Sequence, residues 1–194
     1  DFVRTTEFTF RIVPVVFGVA IIALLPLISD GLGRRATALA GILTAVSPAM
    51  VYYSRFYIQE MLLVFFTFAA IAAGWRYIRT RRPGWALAVG VSLAFMHATK
   101  ETCVIAAAAM AIALAVCAAT YRDEASQVLS DAEWSHLGLA AGGGLVVWGT
   151  FYSSFFTHPT GLLDSILTYV HYLTRAGGEG LHVHPPYFYL KRLA

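Results

Sequence analysis

Six long runs of apolar residues, each nearly free of charge and separated by short polar loops, divide this sequence. A helix needs about 20 such residues to cross roughly 30 Å of hydrocarbon. Inside lipid, a backbone satisfies its own hydrogen bonds only as a helix or a closed barrel. The runs are continuous rather than alternating, which argues against a barrel. The expected fold is therefore all-α, a polytopic transmembrane helical bundle with external loops. Its spans are expected near 10–28, 36–53, 59–75, 84–99, 102–120 and 137–156. Composition agrees, with 58% hydrophobic and 13% charged residues and a mean hydropathy of +0.66. A soluble domain carries about 25% charge.

The loops carry the topological signal. Arg34, Arg35, Arg76, Arg79, Arg81, Arg82 and Arg122 fall on one side of the alternating spans, and the short loops opposite hold Arg55 and Lys100. The positive-inside bias makes the first side cytoplasmic and places Ser54 to Glu60, Lys100 and Glu101 outside. The same alternation divides the chain into a transmembrane region, 1–156, and an external loop, 157–194, with an interfacial helix leading to a further span. This is the pattern of a multi-pass protein of the cytoplasmic membrane, with the lipid bilayer as partner. The net charge of +3 and the pI near 9.0 follow from these loop arginines and give no sign of nucleic acid. Cys103 and Cys117 share one apolar run and read as small buried hydrophobes, not as a disulfide or a metal pair. The chain opens on Asp1 without a signal-peptide pattern, and it is expected to be a piece of a longer protein.

Polar chemistry concentrates on the outer side. Ser47 to Glu60 is a charged, aromatic knot between two apolar runs, with Pro48 expected to kink the first and with Arg55 and Glu60 at a hairpin tip. Charge beside hydrocarbon is costly unless it is paired or used. Glu60 reads either as an interfacial carboxylate favoured by a helix start, or as a ligand for a divalent cation or a cationic substrate group. Arg55, beside Tyr52, Tyr53 and Tyr57, either snorkels to the surface, or binds a phosphate or stacks on a sugar-facing ring. Lys100 and Glu101 stand between two apolar runs with no polar spacer. They read as a salt bridge closing a tight loop or, for Lys100, as a point charge for a lipid phosphate. His182 and His184 lack a third ligand nearby and make a weak case for zinc. Gly177 to Gly180 follows no strand and lacks the lysine of a P-loop. With no nucleotide fingerprint, any donor substrate is expected to be lipid-borne. The triplet Gly142 to Gly144 predicts a close approach by another helix.

Taken in order, Phe10-Arg11-Ile12-Val13-Pro14, Ser47-Pro48 with Tyr53-Ser54-Arg55 and Glu60, Thr99-Lys100-Glu101, and His184-Pro185-Pro186-Tyr187-Phe188-Tyr189-Leu190 resemble membrane glycosyltransferases of the GT-C type. This is the superfamily of the protein O-mannosyltransferases and the lipid A aminoarabinose transferase. Within it the chain is most similar to the archaeal and bacterial flippase-activity-associated proteins. The resemblance implies a polyprenyl-phosphate-linked sugar donor used at the outer face, with inversion at the sugar carbon. It implies that Lys100 and Arg55 hold the donor phosphate. Glu60 and Glu101 would supply the acidic side of the cavity for a metal, held by Glu60, or for the acceptor. Tyr53, Tyr57, His184 and Tyr187 would line it. A divalent cation is the cofactor it points to, and no nucleotide. The family's general base belongs to a loop before Asp1, so no catalytic base is assigned to Asp1 or Glu7, and this piece alone is expected to be inactive.

The expected function is thus transfer of a sugar from a polyprenyl phosphate to a lipid, glycan or protein acceptor. The alternative is a non-enzymatic, flippase-associated protein that binds or translocates a lipid-linked sugar.

Overall fold

The computed structural model describes residues 6–56 and 58–176. Helix α1 (Glu7–Leu24) carries Pro14 buried in its middle. It gives way to a tight 3-10 turn, Leu25–Ile28, where Pro26 lacks the amide donor to continue, and then to the short α2 (Ser29–Leu32). Gly33, at φ +84°, reverses the chain into α3 (Arg34–Val46), a conformation that a side chain would disfavour. Ser47 then accepts the Met50 amide at 3.5 Å, and Pro48 opens α4 (Pro48–Ser54) at a position whose amide would be unpaired in any case. The kink expected at Pro48 is a full break, with α3 and α4 meeting at 58°.

Helix α5 (Glu60–Thr80) ends on Arg81 in the left-handed conformation, and Pro83 opens α6 (Pro83–Thr99). The helices α7 (Cys103–Thr120), α8 (Arg122–Ser130), α9 (Trp134–Tyr152) and α10 (Gly161–Ala176) follow. No strand occurs among the described residues, and the expected all-α membrane bundle is the observed architecture. By length and apolarity alone, Glu7–Leu32, Glu60–Thr80 and Cys103–Thr120 are able to cross a bilayer, and the broken pair α3–α4 makes a fourth if it acts as one span. The fourth and sixth expected spans correspond to α6 and α9. Helix α6 has 17 residues, about 25 Å at 1.5 Å per residue, and the glycines of α9 dilute its apolar character.

Helix α6 lies between α5 and α9, and α1 packs on the far side of α5. Small residues set these distances. A Cβ on Gly90 would overlap the Ala140 carbonyl, one on Gly143 would overlap the Leu87 side chain, and one on Gly144 would lie 3.1 Å from the Gly90 carbonyl oxygen. The close approach expected of the triplet is real at Gly143 and Gly144, while Gly142 faces open space. Ala70, Ala72, Ala73 and Ala86 are buried with Met61 and Met96. A ladder of phenylalanines ties the row together: Phe17 meets Phe65 at 5.0 Å, Phe66 stacks on Phe95 at 4.7 Å, and Phe95 meets Phe151 edge-on at 5.3 Å. Helix α7 by contrast exposes Val104, Ile105, Ile112, Leu114 and Val116, a continuous apolar face of the kind that lipid covers. Cys103 is buried but Cys117 is exposed, which corrects the expectation for the second cysteine, since this helix turns most of its surface outward.

The arginine-rich end of the bundle is closed by its own contacts. Asp30 accepts the Trp75 indole at 2.8 Å and pairs with Arg76 at 3.5 Å and Arg79 at 3.4 Å. Arg81 donates to the Val128 carbonyl at 3.2 Å and pairs with Asp131 at 3.8 Å, and Tyr77 bonds His136 at 3.3 Å. These loop arginines hold α2, α8 and the start of α9 to the base of α5.

Candidate active site

At the opposite end of α5 stands Glu60, the first residue of the helix. The helix dipole favours a carboxylate there. Lys100 leaves the end of α6 in extended backbone, at φ −160° and ψ 141°. Its ammonium donates to Glu60 Oε1 at 2.5 Å, a contact between residues 40 apart in sequence. The alternative of a local salt bridge closing the loop with Glu101 is therefore corrected, because Lys100 reaches back across the helix pair to Glu60. The hairpin is what brings them level. The short turn at Arg81 and Arg82 sends α6 back along α5, so its far end returns to the start of α5.

The side chains of Lys100 and Glu60 are 29% and 36% exposed. Both are thus partly open to solvent, and the pair contributes little to stability, about 0–1 kcal/mol for such an ion pair. Glu60 Oε2 behaves differently. It is buried and has no hydrogen-bond partner among the described residues. A buried acceptor without a donor is costly, and Arg76 Nε towards the other end of α5 is a buried donor in the same situation.

The other expected residues take separate places. Arg55 is exposed, and its backbone amide closes α4 on the Tyr52 carbonyl at 3.1 Å. Tyr53 is 41% exposed and meets the Tyr52 ring at 5.3 Å, with Phe56 4.5 Å from Tyr52 on the same tip. Glu101 is exposed beside the Lys100 backbone. Tyr57, His184 and Tyr187, like His182 and the Gly177 to Gly180 link, lie outside the described residues. Among the described residues no group of three His, Cys, Asp or Glu side chains gathers as a cation site. Glu60 offers one carboxylate oxygen without a partner among the described residues, beside the Lys100 ammonium.

Under the hairpin, an apolar crevice of about 240 Å³ runs between α1, α4 and α5, with Gly18, Val51, Ser54 and Met61 in its walls. Met61 adjoins Glu60 in sequence, so hydrocarbon-lined space begins one residue from the charged pair. Three residues that the sequence reading did not single out support the site from beneath. Tyr152 donates to the carbonyl of His97 at 2.8 Å, and Tyr169 bonds the His97 ring at 2.7 Å. His97 lies three residues before Lys100, which was the available signal. Its partners, 55 and 72 residues away, left none.

An all-α bundle with a broad apolar outer surface and helices able to cross a bilayer defines the class, a membrane helical protein. The family described as dolichyl-phosphate-mannose-protein mannosyltransferase matches residues 2–150, and the chain belongs to that family of GT-C-type membrane glycosyltransferases. Comparison with curated proteins and with solved structures gives no match.

Proposed function

We propose that this multi-pass protein transfers a sugar from a polyprenyl-phosphate-linked donor to a lipid, glycan or protein acceptor at the outer face of the cytoplasmic membrane. The observation that carries the reading is the Glu60–Lys100 pair, placed at one end of an apolar bundle with an unpartnered carboxylate oxygen facing inward. A donor of this class is a charged head on a hydrocarbon chain. The pair and the adjoining crevice offer it a cation, an acceptor oxygen and apolar wall within one hairpin.

In the reaction, an acceptor hydroxyl or amine attacks the anomeric carbon and gives up its proton, which ends on the departing phosphate. The bond from that carbon to the phosphate oxygen breaks, and its electron pair leaves with the polyprenyl phosphate. Negative charge grows on the departing oxygen, and a fixed ammonium there lowers the barrier. Lys100 supplies that charge, with Arg55 as the second cation on the same surface. Glu60 holds the Lys100 ammonium in place through Oε1 and presents Oε2 to a sugar or acceptor hydroxyl. Glu101 and Tyr53 stand at the rim.

The test is sugar transfer in membranes holding the full-length protein, offered radiolabelled polyprenyl-phosphate sugars and, in parallel, nucleotide sugars. Transfer from the lipid-linked donors alone is expected. Transfer from nucleotide sugars, or from neither class with the protein folded, would overturn the reading.

A further inference from the structure

The end of α6 is held in an unusual way. The last carbonyls of a helix have no amide partner within it, and they are commonly met by a glycine turn that folds the chain back on itself. Here the chain instead leaves directly into extended backbone at Lys100. The His97 carbonyl, in that final turn, is capped from outside by the Tyr152 hydroxyl of α9 at 2.8 Å, with the two rings 4.9 Å apart. The His97 side chain faces α10, where the Tyr169 hydroxyl meets Nδ1 at 2.7 Å and the rings stack at 5.6 Å. The same hydroxyl lies 3.3 Å from the Sγ of buried Cys103, the first residue of α7. Burial, and then the Cys103 contact, push the Tyr169 phenol above its ordinary range, so the hydroxyl keeps its proton while it bonds the His97 ring and the Cys103 sulfur.

Tyr169 thus touches both sides of the turn that carries Lys100, the end of α6 and the start of α7. Its ring packs on Met96, Ala70 and Cys103 below. A second tether, from the Trp148 indole to buried Ser165 at 3.1 Å, fixes α10 to α9 one turn earlier. Helix α10 is therefore a strap laid over the α6–α7 turn and anchored at two points.

We propose that Tyr169 and His97 are positioning residues for the donor phosphate: through their hydrogen bond, α10 sets the place of Lys100, so that docking of α10 controls phosphate affinity. This rests on the reading of Lys100 as the phosphate-binding cation. Neither residue touches the substrate. Each acts by fixing the backbone from which the ammonium extends.

The experiment is binding of polyprenyl phosphate to the full-length protein in nanodiscs, for wild type, Tyr169→Phe, Lys100→Met and the double variant. Tyr169→Phe removes one oxygen and keeps the ring that packs on the core. Loss of the hydrogen bond is expected to weaken binding roughly three- to tenfold. Added to Lys100→Met, the same change is expected to have no further effect, since coupled residues are not additive. His97→Ala should behave like Tyr169→Phe, and His97→Asn, which keeps a hydrogen-bonding side-chain atom near the position of Nδ1, should recover much of the loss. If Tyr169→Phe binds as wild type, or weakens binding equally in both backgrounds, α10 does not act through Lys100 and the inference is wrong. If Lys100→Met itself binds as tightly as wild type, the phosphate assignment falls and takes the strap with it. A strap failure alone leaves the Lys100 effect intact, which separates the two results.

Discussion

Lys100 and Glu60 were each visible in the sequence as charges at the edge of an apolar run, but their pairing was not. The physical reason is that pairing depends on the lengths of α5 and α6 and on the tight turn between them. Counting both helices from Arg81 would have brought the two residues to one level. The pair is half in water, so its removal tests function more than folding. We expect the double variant Glu60→Gln, Lys100→Met to lower the melting temperature in detergent by no more than about 4 °C, the shift that about 1 kcal/mol produces in a chain of this size. Asp30 serves as the contrast, since it gathers the Trp75 indole, Arg76 and Arg79 at the opposite end of the bundle. Asp30→Ala should lower the melting temperature further than the double variant does, with no change in donor affinity. An equal loss of donor affinity in Asp30→Ala would place part of the site at the wrong end.

Among the elements, the run-by-run reading captured existence and type but not the breaks. Pro48, expected to kink its run, breaks it outright, and Pro26 likewise divides what the sequence presents as a single run. The glycine triplet was legible as a contact, yet which of its members makes the contact depends on how α9 is rotated against α6, and apolar periodicity is silent on that when both faces are apolar. Gly90, the partner on α6, was not distinguished from its neighbours for the same reason. Gly90→Ala is expected to destabilise the bundle by about 1–3 kcal/mol, because its methyl group would overlap the Ala140 carbonyl. Gly142→Ala should be neutral or gain up to about 1 kcal/mol of helix propensity. Thermal inactivation of the two purified variants checks the contrast, and matching curves would mean that α6 and α9 are not packed this way.

For the molecule as a whole, the asymmetry of charge is the organising fact. One end gathers arginines paired to Asp30 and Asp131, and the other carries the Glu60–Lys100 pair. Each end also holds one buried polar atom without a partner among the described residues, Arg76 Nε at the first and Glu60 Oε2 at the second. With the arginine end cytoplasmic, single cysteines at positions 56 and 101, in a background lacking Cys103 and Cys117, should react with a membrane-impermeant maleimide on intact cells. Cysteines at positions 82 and 123 should react only after permeabilisation, and the reverse pattern would invert the sidedness. The most direct test of the site is donor titration of sugar transfer in membranes by wild type, Lys100→Met and Glu60→Gln at matched expression. The charge-assisted contact to phosphate predicts that Lys100→Met raises the donor KM by at least about tenfold, while Glu60→Gln lowers kcat more than it changes KM. Wild-type kinetics in both variants would show that the sugar is transferred somewhere other than at this hairpin.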